Sequence, residues 1–161
     1  MRYLLITVMF IISTTLFCAE TVTVAVVPFS RGSGVYQNIT DSIQYKVEHF
    51  LVKNGVDLVS RNRIKQILEE QKLSLSGLLD SSKAVELGKI ASAEKLITGY
   101  VEKRGRKYFI LAQKIDVKSG KIENSVYTET SSNDMFFTQS IKAMVKELTE
   151  DNSIKNGNNK S

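Results

Sequence analysis

Residues 59–99 read VSRNRIKQILEEQKLSLSGLLDSSKAVELGKIASAEKLITG, and this stretch decides the fold. It holds the end of a strand, two segments with apolar residues at helical spacing, and the start of a new strand. Its polar residues are spaced for capping, turning and packing. Glu69 and Glu70, for example, are adjacent, so on a helix their side chains point about 100° apart and do not share a proton. The stretch therefore identifies a scaffold rather than a reactive centre.

Upstream of this stretch the sequence predicts a buried strand, a helix and a short second strand. Residues 21–29 (TVTVAVVPF) are β-branched and nearly all apolar, which is typical of a strand buried on both faces, and Pro28 ends it because proline lacks a ladder donor. Residues 31–36 (RGSGVY) predict a loop, since a phosphate-binding loop needs more glycine and a lysine. The following helix carries a stripe of apolar residues, namely Ile39, Ile43, Val47, Phe50 and Leu51.

Downstream, three strands joined by two short glycine-containing turns predict antiparallel hairpins over residues 95–103, 108–117 and 121–130. In the middle strand, Phe109, Leu111, Ile115 and Val117 share one face by alternation. A last helix carries an apolar stripe that is most simply core, with a partner groove as the alternative: Phe137, Ile141, Met144, Val145 and Leu148.

These elements predict one α/β (α+β) domain, with helices packed on a mixed four- to five-stranded sheet in the order β-α-β-α-α-β-β-β-α. We expect a signal peptide over residues 1–19, the domain over residues 20–148, and a disordered polar tail over residues 149–161.

The N-terminus has the three parts of an export signal. Arg2 supplies the positive charge, residues 4–12 are apolar except for one threonine, and Ala19 is the small residue expected before cleavage. Cys18 is the only cysteine of the chain, so no intramolecular disulfide can form. Its place after the apolar segment leaves lipidation open, although Phe17 is bulky where lipoprotein signals carry a small residue. The alternative is that Cys18 leaves with the signal.

Composition argues against several classes of function. The chain has one histidine and, after the signal, no cysteine, so we expect no metal site, no cofactor and no catalytic centre. The net charge of +5 is moderate and suits anionic surfaces such as lipid headgroups or acidic glycans, or simply a basic soluble protein. Because the chain carries an export signal, we expect no nucleic acid partner.

The order of these elements, together with the residues that mark them, resembles the CsgG-like family of curli assembly and transport components, to which LpoB-type and TolB N-terminal domains are related. The similarity covers residues 22 to about 130. Each piece is weak by itself, but in order they are specific. The matching positions are Val24 to Phe29, Val59 to Arg61, Ile64, Ile67, Leu68, Glu70, Gln71, Leu73, Ser76, Gly77, Asp80, Ala84, Leu87 to Lys89, Ala93, Leu96 to Gly99, Ile115 to Val117 and Gly120.

The resemblance implies an exported domain, in the periplasm or at the outer membrane, that acts by binding envelope proteins or copies of itself in secretion or envelope biogenesis. Both hairpins are short here, so the resemblance is not taken to imply a pore. Lipoprotein activators of peptidoglycan synthases contain similar domains, which keeps regulation of peptidoglycan synthesis open as an alternative. A glycan-active envelope enzyme is the other alternative.

Two groups of residues are candidates for a role. The first is structural: Arg61 is expected to pair with a carboxylate such as Glu70 or Asp80, and three glycines fit places that need unusual dihedrals or close packing, namely Gly77, Gly88 and Gly99. The second is the basic turn after the third predicted strand, which is either a partner surface or a solvated turn: Lys103, Arg104, Arg106 and Lys107.

Overall fold

A computed structural model describes residues 22–72, 81–131 and 134–150. Within these ranges, six strands and four helices form a single α+β domain with an open mixed sheet. The strands are β1 Thr23–Val26, β2 Ser30–Arg31, β3 Asp57–Leu58, β4 Lys95–Arg104, β5 Lys107–Asp116 and β6 Ile122–Ser131. The helices are α1 Gln37–Lys53, α2 Arg61–Glu70, α3 Ser81–Ile90 and α4 Asp134–Thr149. The predicted signal peptide and Cys18 lie outside the described residues.

The sheet has the order β3-β1-β4-β5-β6, with β2 also paired to β4. The pairs β1–β3, β1–β4 and β2–β4 are parallel, whereas β4–β5 and β5–β6 are antiparallel. The two predicted hairpins are thus confirmed, and so is the predicted order of elements apart from one additional short strand, β2. The parallel half of the sheet comes from strands that alternate with helices, as the sequence pattern indicates.

The opening strand differs from the prediction because Pro28 divides it. β1 ends at Val26, and the chain pairs with β4 again two residues after Pro28, where Ser30 lies opposite Tyr100. Proline cannot donate to the ladder, so the single predicted strand becomes two short ones along the same edge of β4. Ser30–Arg31 is therefore the sixth strand, at a place where the sequence predicts a loop beginning at Arg31.

Helices cover both faces of the sheet. α1 and α4 pack on one face, where the buried core includes Val24, Val26, Ile97 and Ile110. α2 and α3 pack on the other face, over a second core. Its residues on the strands or directly after them, which alternate with those of the first core, are Ala25, Val27, Leu96, Ile115 and Val117.

The apolar stripe of α4 is core, as its simpler interpretation predicts. Each of its five residues is at most 6% exposed, and all five belong to the core that α1 shares. The helix includes Thr149, whose hydroxyl donates to the Val145 carbonyl at 3.0 Å, so it extends one residue past the predicted end of the domain. No helix within the described residues is long and apolar enough to cross a bilayer.

Candidate functional site

Arg61 joins the start of α2 to α1 instead of pairing within its own segment. Its Nη2 lies 2.7 Å from Glu48 Oε2, and its Nε donates to both carboxylate oxygens at 3.2 Å. The predicted pairing with Glu70 is wrong, because the two residues lie at opposite ends of one helix, about 13 Å apart along its axis. The other predicted partner, Asp80, lies outside the described residues. The two-pronged contact connects the start of α2 to α1.

We expect Arg61→Ala to lower the free energy of unfolding by about 2 kcal/mol, because it removes a charged, partly buried bond and leaves Glu48 with only its neutral donor, the Gln44 side chain. Urea denaturation measures the change. Arg63→Ala is the matched control: Arg63 is exposed on the same helix, and we expect a change within about 0.5 kcal/mol. Equal losses in the two variants would show that the Glu48 contact contributes nothing.

The sequence suggests that Gly88 and Gly99 serve either unusual dihedral angles or close packing, and the structure shows close packing. A Cβ on Gly88 would overlap the Val117 side chain, and one on Gly99 would overlap the Phe29 ring and lie 2.7 Å from the Leu111 carbonyl oxygen. Neither glycine has a positive φ. The third glycine, Gly77, lies outside the described residues.

The four basic residues of the β4–β5 turn lie at one tip but on different sides of the sheet. Lys103 Nζ lies 5.7 Å from the centre of the Tyr108 ring, on the face that α1 and α4 cover. Arg104 and Lys107 are opposite each other in the ladder, on the other face, and Arg106 is in the turn. All four are exposed. Strand alternation thus divides what the sequence presents as one cluster.

A strip of aromatic and basic side chains continues from this tip along the second face of the sheet. The Arg104 guanidinium lies 5.1 Å from the centre of the Phe109 ring, which stacks on Tyr127 at 6.0 Å. Leu111 pairs with Tyr127 in the ladder and is half-buried. We call Arg104, Phe109, Leu111 and Tyr127, together with the exposed Arg106 in the adjoining turn, the hairpin surface.

The hairpin surface exists because α2 and α3 cover only part of their face. Ile115 and Val117 are buried there, whereas Phe109 and Leu111, on the same side of β5, are half-buried. Tyr127, beside them on β6, is 60% exposed. Sequence alternation predicts that these positions share a face, but it does not predict where the helices end. Carboxylates border the surface, since Glu102 lies 2.5 Å from Arg104 and Glu129 pairs with Lys107.

Four charged groups meet at the other end of β4, an arrangement that sequence spacing does not indicate. Lys95 Nζ lies 2.8 Å from Asp116 and 2.5 Å from Glu123, and Glu123 is 3.6 Å from Lys114. Asp116 also accepts bonds from the Ser119 backbone N–H and hydroxyl, at 2.7 Å and 2.6 Å. The bonds from Lys95 and Ser119 hold the pKa of Asp116 well below its usual range. Partial burial alone would lower the pKa of Lys95, but its bonds to Asp116 and Glu123 raise it.

We expect this cluster to make stability sensitive to acid. The pKa of Asp116 is lower in the folded protein than in the unfolded chain, where it is about 4. Asp116 therefore contributes fully to the free energy of unfolding above about pH 4, and this contribution is lost as the pH falls towards the lower pKa of the folded protein. Asp116→Asn should therefore be less stable than the wild type at neutral pH, with a gap that narrows below about pH 4. Urea denaturation across this range tests it, with the exposed Lys83→Gln on α3 as control. A gap independent of pH would contradict this role for Asp116.

A cleft of about 570 Å³ adjoins the charged cluster, between the start of β1 and the ends of α1 and α4. Its lining includes Val22, Gly55, Leu148, Lys95 and Glu123. Among the described residues, no three His, Cys, Asp or Glu side chains are grouped so as to hold a metal ion.

Comparison with protein families matches residues 8–107 to the family described as the curli production assembly/transport component CsgG. That span is more than half of the 161 residues. A comparison with curated protein sequences finds no match.

Solved structures show the same fold at low sequence identity. Lipoprotein GNA1162 from Neisseria meningitidis is similar with a TM-score of 0.63 and 16% identity, over 82% of this chain and 98% of that one. The LpoB C-terminal domain from Salmonella enterica has a TM-score of 0.55 and 18% identity, over 70% and 84%. The PelC dodecamer from Paraburkholderia phytofirmans has a TM-score of 0.55 and 18% identity, over 78% and 86%. At such identities the likeness shows the fold alone.

Proposed function

The chain belongs to the family of the curli production assembly/transport component CsgG, and from this membership we propose that it is a non-catalytic binding or assembly module of the cell envelope. It acts through contacts with proteins, as an accessory in secretion or envelope biogenesis. The hairpin surface is the observation that carries this proposal.

The hairpin surface has the composition of a protein-binding site. Arginine and tyrosine are enriched among the residues that contribute most to binding at interfaces. Here Arg104 lies over one ring of a stacked pair, and Tyr127, the other ring of that pair, is 60% exposed. The stacked rings sit on paired strands, so a partner meets side chains that are already held in place. Glu102 and Glu129 at its border would favour one orientation of the partner.

The partner is an envelope protein, a second copy of this chain, or both, and not a nucleic acid. The PelC structure to which this fold is similar is a dodecamer, which supports self-assembly as one form of the contact. The N-terminal sequence supports export, and GNA1162, another similar structure, is a lipoprotein.

In this proposal residues 1–19 direct export to the periplasm, residues 20–148 form the binding domain, and residues 149–161 are a polar tail, of which Thr149 forms the last residue of α4. The protein is associated with the outer membrane if Cys18 is lipidated. Labelling with a fatty-acid analogue tests that step, and loss of the label in Cys18→Ser identifies the residue.

Crosslinking in the native envelope, followed by mass spectrometry, tests the proposed function. We expect discrete adducts with an envelope protein or with a second copy, and we expect Tyr127→Ala to remove them. Tyr45→Ala is the control, because Tyr45 is 65% exposed but lies on α1, away from the hairpin surface. A protein that stays monomeric and forms no adduct would contradict the proposal, as would release of soluble fragments from peptidoglycan by the purified chain.

A further inference from the structure

α1 and α4 lie side by side on one face of the sheet, and a groove of about 520 Å³ opens between their C-terminal halves. Three lysines line it, Lys53 from α1 and Lys142 and Lys146 from α4, and we call these three residues the lysine groove. The remaining lining consists of two amides, an aromatic ring and a methyl group: Asn54, Gln139, Phe50 and Ala143. The groove is thus cationic at its sides and partly apolar between them.

Nearby carboxylates leave most of this charge uncompensated. Lys146 lies 3.7 Å from Glu150, but both side chains are largely exposed, at 77% and 60%. Across residues 22–72, 81–131 and 134–150, no carboxylate lies within 4.0 Å of the Lys53 or Lys142 ammonium group. A lysine in the last turn stabilises a helix because its positive charge interacts favourably with the helix dipole, and this gives Lys53 and Lys146 a structural role. Lys142 lies before the last turn, so this role does not explain it.

The chain enters the domain at the same end. Val22, the first described residue, lines a cleft together with Gly55, which follows the end of α1, and Leu148, near the end of α4. Val22 thus lies at the end of the domain where α1 and α4 end, which is also the end that carries Lys53 and Lys146, and the sequence before it includes the apolar stretch 4–12 and Cys18. If Cys18 is lipidated, as the proposed function leaves open, the lipid holds that end of the domain at a bilayer.

We propose that the lysine groove docks this end of the domain on the surface of a bilayer that contains anionic lipids. The ammonium groups attract lipid phosphates, and lysines near such a surface each strengthen binding by about fivefold. Phe50 and Ala143, which line the groove with the lysines, provide apolar contact at the headgroup level. A bilayer is favoured over an acidic glycan because the groove lies at the end where the chain enters the domain, at Val22. Binding of a soluble glycan would not depend on where the N-terminus lies.

Binding of the full chain to vesicles tests this proposal. Co-sedimentation is measured with vesicles of phosphatidylcholine alone and with vesicles that also contain phosphatidylglycerol, at low and at high NaCl. We expect binding to the anionic vesicles, weakened by salt, and a loss on the order of 100-fold in the triple variant K53Q/K142Q/K146Q. The control K65Q/K83Q/K89Q removes the same charge from exposed positions of α2 and α3, on the opposite face of the sheet. It should lose less than about fivefold.

Three outcomes would overturn the proposal. Equal losses in the two triple variants would mean that net charge alone attracts the chain. If the wild type does not prefer anionic vesicles, the groove is not a lipid-binding site. If the chain binds soluble polygalacturonate in a salt-sensitive way but does not bind vesicles, the ligand is an acidic glycan instead. All three proteins have the same N-terminus, so any lipid at Cys18 contributes equally to each. The groove lies on α1 and α4, away from the hairpin surface, so the vesicle result is independent of partner binding.

Discussion

Replacing Gly99 by alanine is expected to lower the free energy of unfolding by about 3 kcal/mol, the upper part of the usual range for overpacking. The added methyl group would overlap the ring of Phe29, which is 2% exposed, and would lie 2.7 Å from the Leu111 carbonyl oxygen. The ring is buried in the core, and the carbonyl belongs to the central ladder of the sheet. Urea denaturation measures the loss.

Two variants separate this clash from the ordinary effects of a glycine. Gly55 has a φ of +80°, and a Cβ added there would meet no atom within 4 Å, so Gly55→Ala should cost only about 1 kcal/mol, for backbone conformation alone. In the double variant Phe29→Ala/Gly99→Ala, the missing ring makes room for the methyl group, so the combined loss should be smaller than the sum of the two single losses. Where there is space for the methyl group, replacing glycine by alanine can stabilise a protein because the unfolded chain loses conformational freedom. If Gly99→Ala raised the free energy of unfolding, the close packing around Gly99 would be contradicted.

Substituting both Arg104 and Tyr127 by alanine is expected to weaken partner binding by about 100-fold while leaving the fold intact. The two substitutions remove the guanidinium over Phe109 and the ring stacked on Phe109, which are the most prominent groups of this surface. Loss of these two cross-strand contacts should cost less than about 2 kcal/mol in stability. Titration of the purified protein against the partner identified by crosslinking, or analytical ultracentrifugation for self-association, measures the effect.

The matched control for this pair is Arg63→Ala/Tyr45→Ala. Both residues are exposed, and they lie on α2 and α1. We expect this variant to bind within about threefold of the wild type, because substitutions outside a contact change affinity little. A similar loss in both double variants would place the binding site elsewhere.

The local part of this structure could be predicted from the sequence, because turn residues and periodicity act over short distances. The glycine turns determine both hairpins, and the apolar stripe of α4 determines which side of it is buried. Pro28 also marks the place where the opening strand is interrupted. The pattern alone does not show that pairing with the same neighbouring strand resumes at Ser30.

The contacts that could not be predicted connect elements far apart in sequence. Arg61 pairs with Glu48, whose position depends on how α1 and α2 cross, and no spacing within residues 59–99 contains that information. The approach of Glu123 to Lys95 depends on a register shift between Lys114 and Ile115. The hairpin surface depends on where α2 and α3 stop covering the sheet. These are tertiary features, and each is decided by packing.

Photocrosslinking at single positions in the intact envelope tests the central claim, binding through the hairpin surface, most directly. A photoreactive residue is placed at Tyr127, at Arg106, or at the control positions Tyr45 and Arg63, all of which are exposed. We predict that Tyr127 and Arg106 give discrete adducts with the same mass shifts as each other, and that Tyr45 and Arg63 give none. Adducts that form equally from all four positions, or only from the two helical ones, would contradict this account.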